Sequence, residues 1–222
     1  MQVIAVSGWK RSGKDTLAEY LIKNHRFTRY GFADKLKDNV ARDFGIPRSH
    51  CDDPLYKEFP IAHMPVNISD SFVSGIHNLL LGEFAGVAGH GQLYWTPRAL
   101  CIFEGSGKRA VMSDYWVKQV ISGIREYESL NSLIVISDIR YKTEIEQLRA
   151  EFGDSLVTVR VNRFDTCTST DASERDLDDA EFDHVFENRG TLKEFENQIK
   201  RRLIEVSDQT VAGSGAWCHT NV

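Results

Sequence analysis

Two glycines and a lysine near the start of the chain have the spacing of a phosphate-binding loop. Gly8, Gly13 and Lys14 fit the pattern G-x-x-x-x-G-K. Glycines allow backbone N–H groups to curl around phosphate oxygens, and the lysine reaches the β- and γ-phosphates of a nucleoside triphosphate. The apolar run at residues 3–6 predicts a strand before the loop, and a helical pattern from Thr16 follows it. The sequence therefore predicts a loop that binds phosphate at the positive end of a helix.

The residue after the lysine departs from the usual form of this motif. Asp15 stands where serine or threonine is normal, and the hydroxyl comes one residue later, at Thr16. Either side chain could serve Mg²⁺, and Asp15 could instead be an acidic residue stabilised by the helix dipole. Both remain candidate metal ligands. The residues expected to bind the triphosphate are Gly8, Lys10, Arg11, Ser12, Gly13, Lys14, Asp15 and Thr16.

A second group of charged residues follows the apolar run at residues 133–137. Asp138, Arg140 and Glu144 would lie near the carboxyl edge of a central strand, where α/β proteins bind ligands. The alternative is an aspartate that caps a helix, together with an Arg–Glu pair. Beside a phosphate-binding loop we favour the functional interpretation, in which Asp138 orients a metal-bound water or the acceptor and Arg140 holds an acceptor phosphate.

Two further cations, Arg98 and Lys118, lie near predicted helix starts or faces, where phosphate binds readily. Each alone is more often a solvated charge. A second glycine-lysine cluster at residues 105–108 resembles the loop motif, but Ile102 occupies its first glycine position and no apolar strand precedes it. We reject this cluster as a second nucleotide site.

Composition limits the partners of the chain. The 27 Lys and Arg residues against 32 Asp and Glu residues give a formal charge of −5, so no general cationic field would hold polymeric nucleic acid or an anionic membrane. The four cysteines form no CxxC pair, which is typical of a reducing compartment. With neither a leader pattern nor a long apolar segment, we expect a soluble, cytoplasmic protein.

Strand-like runs alternate with helical patterns, which predicts a three-layer α/β fold with a parallel central sheet. We expect one domain at residues 1–206, with an acceptor-binding insertion at about 46–130, a lid-like loop at about 164–183 and a weakly ordered tail at 207–222. The predicted strands are residues 3–6, 133–137, 156–161 and 184–187, and the predicted helices are about 16–25, 32–44, 71–81, 97–103, 115–128, 142–152 and 191–206.

Several segments carry recognisable motifs, which in chain order are residues 8–16, Phe32-Ala33-x-x-Leu36-Lys37, Arg98, Tyr115-Trp116-Val117-Lys118, Asp138-x-Arg140 with Glu144, and Asn188-x-Gly190. Together these segments resemble the bacteriophage deoxynucleoside monophosphate kinases, a branch of the P-loop kinases. The residues that carry the resemblance span about 1–205. After the predicted arginine helix, Cys101 or Ile102 and Gly105-Ser106 replace the glutamine and the Gly-Thr pair usual in the family, so base selectivity is not predicted.

The resemblance implies direct transfer of a phosphoryl group from ATP to a deoxynucleoside monophosphate, with Mg²⁺ as the metal. It implies catalytic roles for Lys14, Arg11, Arg98, Asp138 and Arg140, contacts of Arg163 and Asn188 near the ATP base, and an acceptor pocket formed by Lys37, Arg98, Trp116, Lys118, Asp138, Arg140 and Glu144. The alternatives are a P-loop kinase for another small acceptor, such as dephospho-coenzyme A or phosphomevalonate, and a non-catalytic ATP-binding protein. The oligomeric state stays open, a homodimer being one alternative.

Overall fold

The computed structural model describes residues 1–65, 86–87, 93–126, 132–163 and 175–204. They fall into two compact units: the first unit is Met1–Phe32 with Val117–Val222, and the second unit is Ala33–Trp116. The predicted helix at 71–81, the predicted tail at 207–222 and residues 164–174 of the predicted lid-like loop lie outside the described residues. Within the described residues, no helix combines the length and the apolar character needed to cross a membrane.

A five-stranded parallel sheet organises the first unit. Its order is β2–β5–β1–β6–β7, so β1 lies in the centre, and Val3 of β1 pairs with Ile134 of β5 and with Leu156 of β6. Parallel pairing needs both faces covered, and residues 3–7 of β1 are fully buried. The strands are β1 Gln2–Ser7, β2 Thr28–Tyr30, β3 Gly86–Val87, β4 Leu93–Tyr94, β5 Leu133–Ile139, β6 Leu156–Asn162 and β7 His184–Glu187, of which β3 and β4 form a separate antiparallel pair.

Helices cover both faces of this sheet. The described helices are α1 Lys14–His25, α2 Phe32–Phe44, α3 Arg48–Asp52, α4 Pro97–Val111, α5 Tyr115–Glu126, α6 Lys142–Phe152 and α7 Leu192–Ile199, the last followed by a π-turn at Lys200–Ile204. Local chemistry sets their ends: the Thr96 hydroxyl accepts from the N–H of Ala99 at the start of α4, and Pro97 occupies the first helical position. Thr191 caps α7 in the same way, because its hydroxyl accepts from the N–H of Glu194.

One apolar cluster of the first unit lies on one face of the sheet. Alternate residues of β1 and β6 pack there with the apolar faces of α1 and α7. Between them Thr158 faces the other way and accepts a hydrogen bond from Arg149 of α6 at 3.1 Å. This confirms the predicted three-layer α/β fold. The main members of the core are Ile4, Val6, Leu17, Leu21, Val135, Val159, Val161, Phe186, Phe195 and Ile199.

The second unit has a small apolar core of its own, formed by Val40, Ile46, Cys51 and Leu100. Helix α4, the longest among the described residues of this unit, runs to Val111, eight residues past the predicted end. The glycine-lysine cluster at residues 105–108 is therefore helical and forms no phosphate loop. The indole N–H of Trp116 donates to the carbonyl oxygen of Gly105 at 3.2 Å and is buried there.

Candidate active site

The loop between β1 and α1 has the backbone that the glycine-lysine spacing predicts. Gly13 precedes α1 with φ 108°, and Arg11 has φ 66°, so two residues of the loop are left-handed. A β-carbon on Gly13 would lie 2.3 Å from the side-chain nitrogen of Asn188. One on Gly8 would lie 2.6 Å from the carbonyl oxygen of Val161, a backbone atom held in the sheet. Close packing on both sides therefore requires glycine at both positions.

Two buried side chains support this loop. Asn188 follows β7, is 8% exposed, and donates from Nδ2 to the carbonyl oxygen of Ser12 at 2.8 Å. The hydroxyl of Ser12 is itself buried and has no hydrogen-bond partner among the described residues. The hydrogen bond from Asn188 holds the turn at Ser12. The backbone N–H groups that follow Ser12 stand at the start of α1.

A small cavity beside the loop brings predicted residues together. Lys14 and Arg140 both line it, although they are far apart in sequence. Arg160 of β6 lines the same cavity, and Leu177 closes one side. In a chain of net charge −5, three cationic side chains around one cavity concentrate positive charge beside the loop.

The predicted metal ligands lie in the first turn of α1, next to Lys14. Asp15 is exposed and Thr16 is half-buried. Both present oxygen, the ligand that Mg²⁺ prefers, and a Mg²⁺ site of this kind needs only one or two protein oxygens beside phosphate and water. The residues at the loop therefore fit the metal that the resemblance implies.

The two acidic residues near Arg140 have structural contacts. Asp138 lies inside β5, which continues one residue further, to Ile139. Its Oδ1 accepts from the N–H of Phe32, the first residue of α2, at 3.0 Å. Glu144 is buried, and its Oε2 accepts from the N–H groups of Arg140 (2.9 Å) and Tyr141 (3.1 Å). Glu144 thus fixes the backbone that carries Arg140, and contacts of either acid with an acceptor stay predictions.

Cations of the second unit that were predicted to bind the acceptor are paired with carboxylates. Lys37 donates to Asp52 at 2.8 Å, and Arg48 also pairs with Asp52. Burial alone would raise the pKa of Asp52, but the hydrogen bond and charge of Lys37, together with Arg48, bring it below its ordinary value. Arg98 donates from Nε to Glu58 at 2.6 Å. Any acceptor phosphate at these groups would therefore compete with a carboxylate.

The remaining predicted site residues divide between the units. Lys10, Arg11, Lys118 and Arg163 are exposed residues of the first unit. Lys37, Arg98 and Trp116 belong to the second unit. The side chain of Trp116 is only 2% exposed. A shared acceptor pocket formed by Lys37, Arg98, Trp116, Lys118 and Arg140 therefore stays a prediction.

The sequence interpretation missed Arg160, the third cation of the cavity. Its signal was present, because a lone arginine between valines in the run LVTVRVN is unusual for a central buried strand. Trp9, Leu177 and Asp178, which contact Arg160, were missed as well.

A parallel sheet whose first strand lies in the centre and leads through a glycine loop into a helix, with a lysine at the helix start, defines the P-loop kinase class. Comparison with known proteins then shows which family the chain resembles. The family described as deoxynucleotide monophosphate kinase matches residues 2–57, from β1 through α3. The predicted resemblance to the bacteriophage deoxynucleoside monophosphate kinases is confirmed.

Two relatives extend this match along the chain. The deoxynucleotide monophosphate kinase of Enterobacteria phage T4 is 24% identical over 243 aligned residues, which cover 91% of this chain and 99% of that protein. The protein of the same description from Escherichia phage RB69 is 26% identical over 247 aligned residues, covering 91% and 100%. A gluconokinase structure from Sinorhizobium meliloti 1021 aligns over 96% of this chain and 98% of its own at 12% identity and a TM-score of 0.47, too weak a likeness to support an argument.

Proposed function

We propose that this protein transfers the γ-phosphoryl group of ATP directly to the 5′-phosphate of a deoxynucleoside monophosphate. One structural observation carries the proposal: Lys14, at the phosphate-binding loop, and Arg140, after the neighbouring strand, line the same cavity. A kinase that transfers a phosphoryl group between two phosphorylated substrates needs one set of cationic groups for the donor and another for the acceptor. The activity named for the two phage relatives, which match nine-tenths of the chain, supports the choice of acceptor.

Donor binding follows from the loop. Its N–H groups and the positive end of α1 would hold the β- and γ-phosphates, and Lys14 would offset their charge. The glycines at 8 and 13 leave room for the closely packed backbone that this requires. Arg11, exposed at the loop, would flank the transferred group.

Mg²⁺ would be held by the oxygens of Thr16 or Asp15 together with the phosphates. When bound, the ion supplies neutralisation of the charge on the β- and γ-phosphate oxygens. Thr16 presents its hydroxyl, and Asp15 its carboxylate, from the first turn of α1.

Transfer itself requires little chemistry from side chains. An oxygen of the acceptor phosphate attacks the γ-phosphorus, the bond to the β–γ bridging oxygen breaks, and ADP leaves. Arg140 and Arg98 are the arginines proposed to align the acceptor phosphate, because an arginine fork matches two phosphate oxygens. Catalysis is then a matter of position and charge rather than of a covalent enzyme intermediate.

A substrate panel tests this function. ADP formation is followed in a coupled assay with ATP and each deoxynucleoside or ribonucleoside monophosphate, and with dephospho-coenzyme A and phosphomevalonate. We expect turnover that depends on a deoxynucleoside monophosphate. Turnover with only the other acceptors would support a different small-molecule kinase, and ATP binding without acceptor-dependent turnover would support a non-catalytic role.

Two other expectations stay proposals. The first is a cytoplasmic location, in the host cell if the chain is phage-encoded, and the second is a homodimer. Sedimentation of the purified protein across a concentration series would determine the second.

A further inference from the structure

Arg160 is a charged side chain in a setting where charge is unusual. It lies in β6, pairs in register with Ser7 at the end of β1, and is only 7% exposed. Its planar group lies between two aromatic rings, 5.6 Å from the centre of Trp9 and 5.8 Å from that of Phe182. Trp9 belongs to the phosphate-binding loop, and Phe182 belongs to residues 175–183, which we call the turn segment. Arg160 thus lies between the loop and the turn segment.

Hydrogen bonds also connect β6, the phosphate-binding loop and the turn segment. Arg160 donates from Nη1 to the carbonyl oxygen of Leu177 at 3.1 Å and from Nη2 to Oδ1 of Asp178 at 2.7 Å. The indole N–H of Trp9 donates to that same oxygen of Asp178 at 2.7 Å. One carboxylate oxygen therefore holds both the loop tryptophan and the strand arginine. Leu177, held by Arg160, lines the cavity that Lys14 and Arg140 also line.

We propose that Arg160 is a positioning residue for the ATP site: with Asp178 it fixes Trp9 and Leu177, and so keeps the phosphate-binding loop in its binding conformation. One N–H group of each terminal nitrogen donates to a protein acceptor, and in this role the guanidinium acts through its neighbours rather than on the reacting phosphorus. Pre-formed loop geometry favours the donor equally in the ground state and the transition state. Loss of the tie should therefore weaken ATP binding and leave the chemical step unchanged.

Lysine cannot replace this arginine. An ammonium group is a point donor on a flexible stem, whereas the planar fork can contact Leu177 and Asp178 together while its faces lie against the rings. The turn segment has independent anchors, since Lys142 donates from its backbone to Asp176 at 2.8 Å and its side chain pairs with Asp179. Replacing Arg160 should therefore leave the segment folded and loosen only its hold on the loop.

The test compares Arg160→Lys, Asp178→Ala and the double variant with Arg149→Lys as the matched control. Arg149 also joins the turn segment to β6, through Thr158 at 3.1 Å and Asp183 at 3.5 Å, but it does not line the cavity. We expect each single change at Arg160 or Asp178 to raise the KM for ATP about tenfold, with kcat and the acceptor KM within about twofold. Because both changes break the same hydrogen bond between Arg160 and Asp178, the KM for ATP of the double variant should not exceed the higher KM of the two single variants. Arg149→Lys should leave all three constants unchanged.

Calorimetric titration with ADP provides a readout that does not require turnover, and the same loss of affinity is expected. The inference rests on the proposed function only in placing the nucleotide at this loop. If the wild type binds ADP and the Arg160 and Asp178 variants bind it more weakly, but no acceptor supports turnover, the proposed function fails and the inference stands. Unchanged ADP affinity in these variants, independent effects that multiply in the double variant, or a large fall in kcat at constant KM would each overturn the inference.

Discussion

The side-chain amide of Asn188 donates to the carbonyl oxygen of Ser12 at 2.8 Å, which ties the turn after β7 to the phosphate-binding loop at the end of β1. The two residues are 176 positions apart in sequence. The conformation of the loop therefore depends on a residue that follows the edge strand β7.

Asn188→Ala should lower the free energy of unfolding by about 1–3 kcal/mol and raise the KM for ATP, because the buried carbonyl of Ser12 loses its donor. Urea denaturation and initial-rate kinetics measure the two effects. Asn24→Ala is the control, since Asn24 also donates to a backbone carbonyl, that of Tyr20 at 3.0 Å, but lies exposed on α1. An equal response of both variants would contradict a specific role for Asn188.

Thr16 and Asp15 can be separated by the Mg²⁺ dependence of turnover. We expect Thr16→Val to shift the Mg²⁺ titration to higher concentration, because the hydroxyl is the ligand that this kind of loop normally presents to the metal. Asp15→Ser should have a smaller effect. The roles are reversed if Thr16→Val leaves the dependence unchanged and Asp15→Ser shifts it.

Arg98→Lys and Arg140→Lys test the acceptor site. Each should raise the KM for the deoxynucleoside monophosphate and lower kcat, with ATP binding and the melting temperature nearly unchanged, because lysine keeps the charge but loses the two-point contact that aligns the phosphate. Steady-state kinetics in both substrates and thermal denaturation provide the readouts. A variant that weakens only ATP binding, or that only lowers the melting temperature, removes its arginine from the acceptor site.

Asp183 makes stability depend on acidity. Burial alone would raise the pKa of its carboxyl, but hydrogen bonds from Thr158 and the charge of Arg149 bring it below the ordinary 3.8. A lowered folded-state pKa contributes stability that is present above 3.8 and is lost as the pH falls through the folded value. Urea denaturation should therefore show a smaller loss of stability between pH 6 and pH 3 in Asp183→Asn than in the wild type. Asp154→Asn, at an exposed carboxylate, should behave as the wild type does.

Much of the fold could be predicted because buried parallel strands and their connections leave strong local patterns. The β-branched runs identified β1, β5, β6 and β7 to within two residues, and α6 was predicted at its observed bounds. Strand β2 was missed, since its three residues, TRY, are half-buried or exposed and carry no apolar run. Helix α4 was predicted too short, because Gly105 and Gly107 indicate a break, yet Gly105 packs against Leu36 inside a continuous helix.

The site also has a part that local sequence patterns predict and a part that depends on long-range contacts. Spacing alone identified the phosphate-binding loop, since its glycines, its lysine and the start of its helix are adjacent in sequence. The contact between Arg160 and Asp178 could not be found in this way, because it depends on how the turn segment folds back over β6. Glu144 differs from them, because it was predicted at the acceptor and is observed to accept hydrogen bonds from the backbone N–H groups three and four residues earlier, at the start of α6.

Label transfer tests the central claim most directly. The protein is incubated with Mg²⁺, ATP labelled in the γ-phosphate and a deoxynucleoside monophosphate, and the products are separated beside a Lys14→Ala sample. We expect the label in the β-phosphate of the deoxynucleoside diphosphate, none on the protein, and no transfer by Lys14→Ala, which should keep its fold because Lys14 is not part of the apolar core. Label only in inorganic phosphate, label on the protein, or undiminished transfer by Lys14→Ala would contradict direct phosphoryl transfer at this loop.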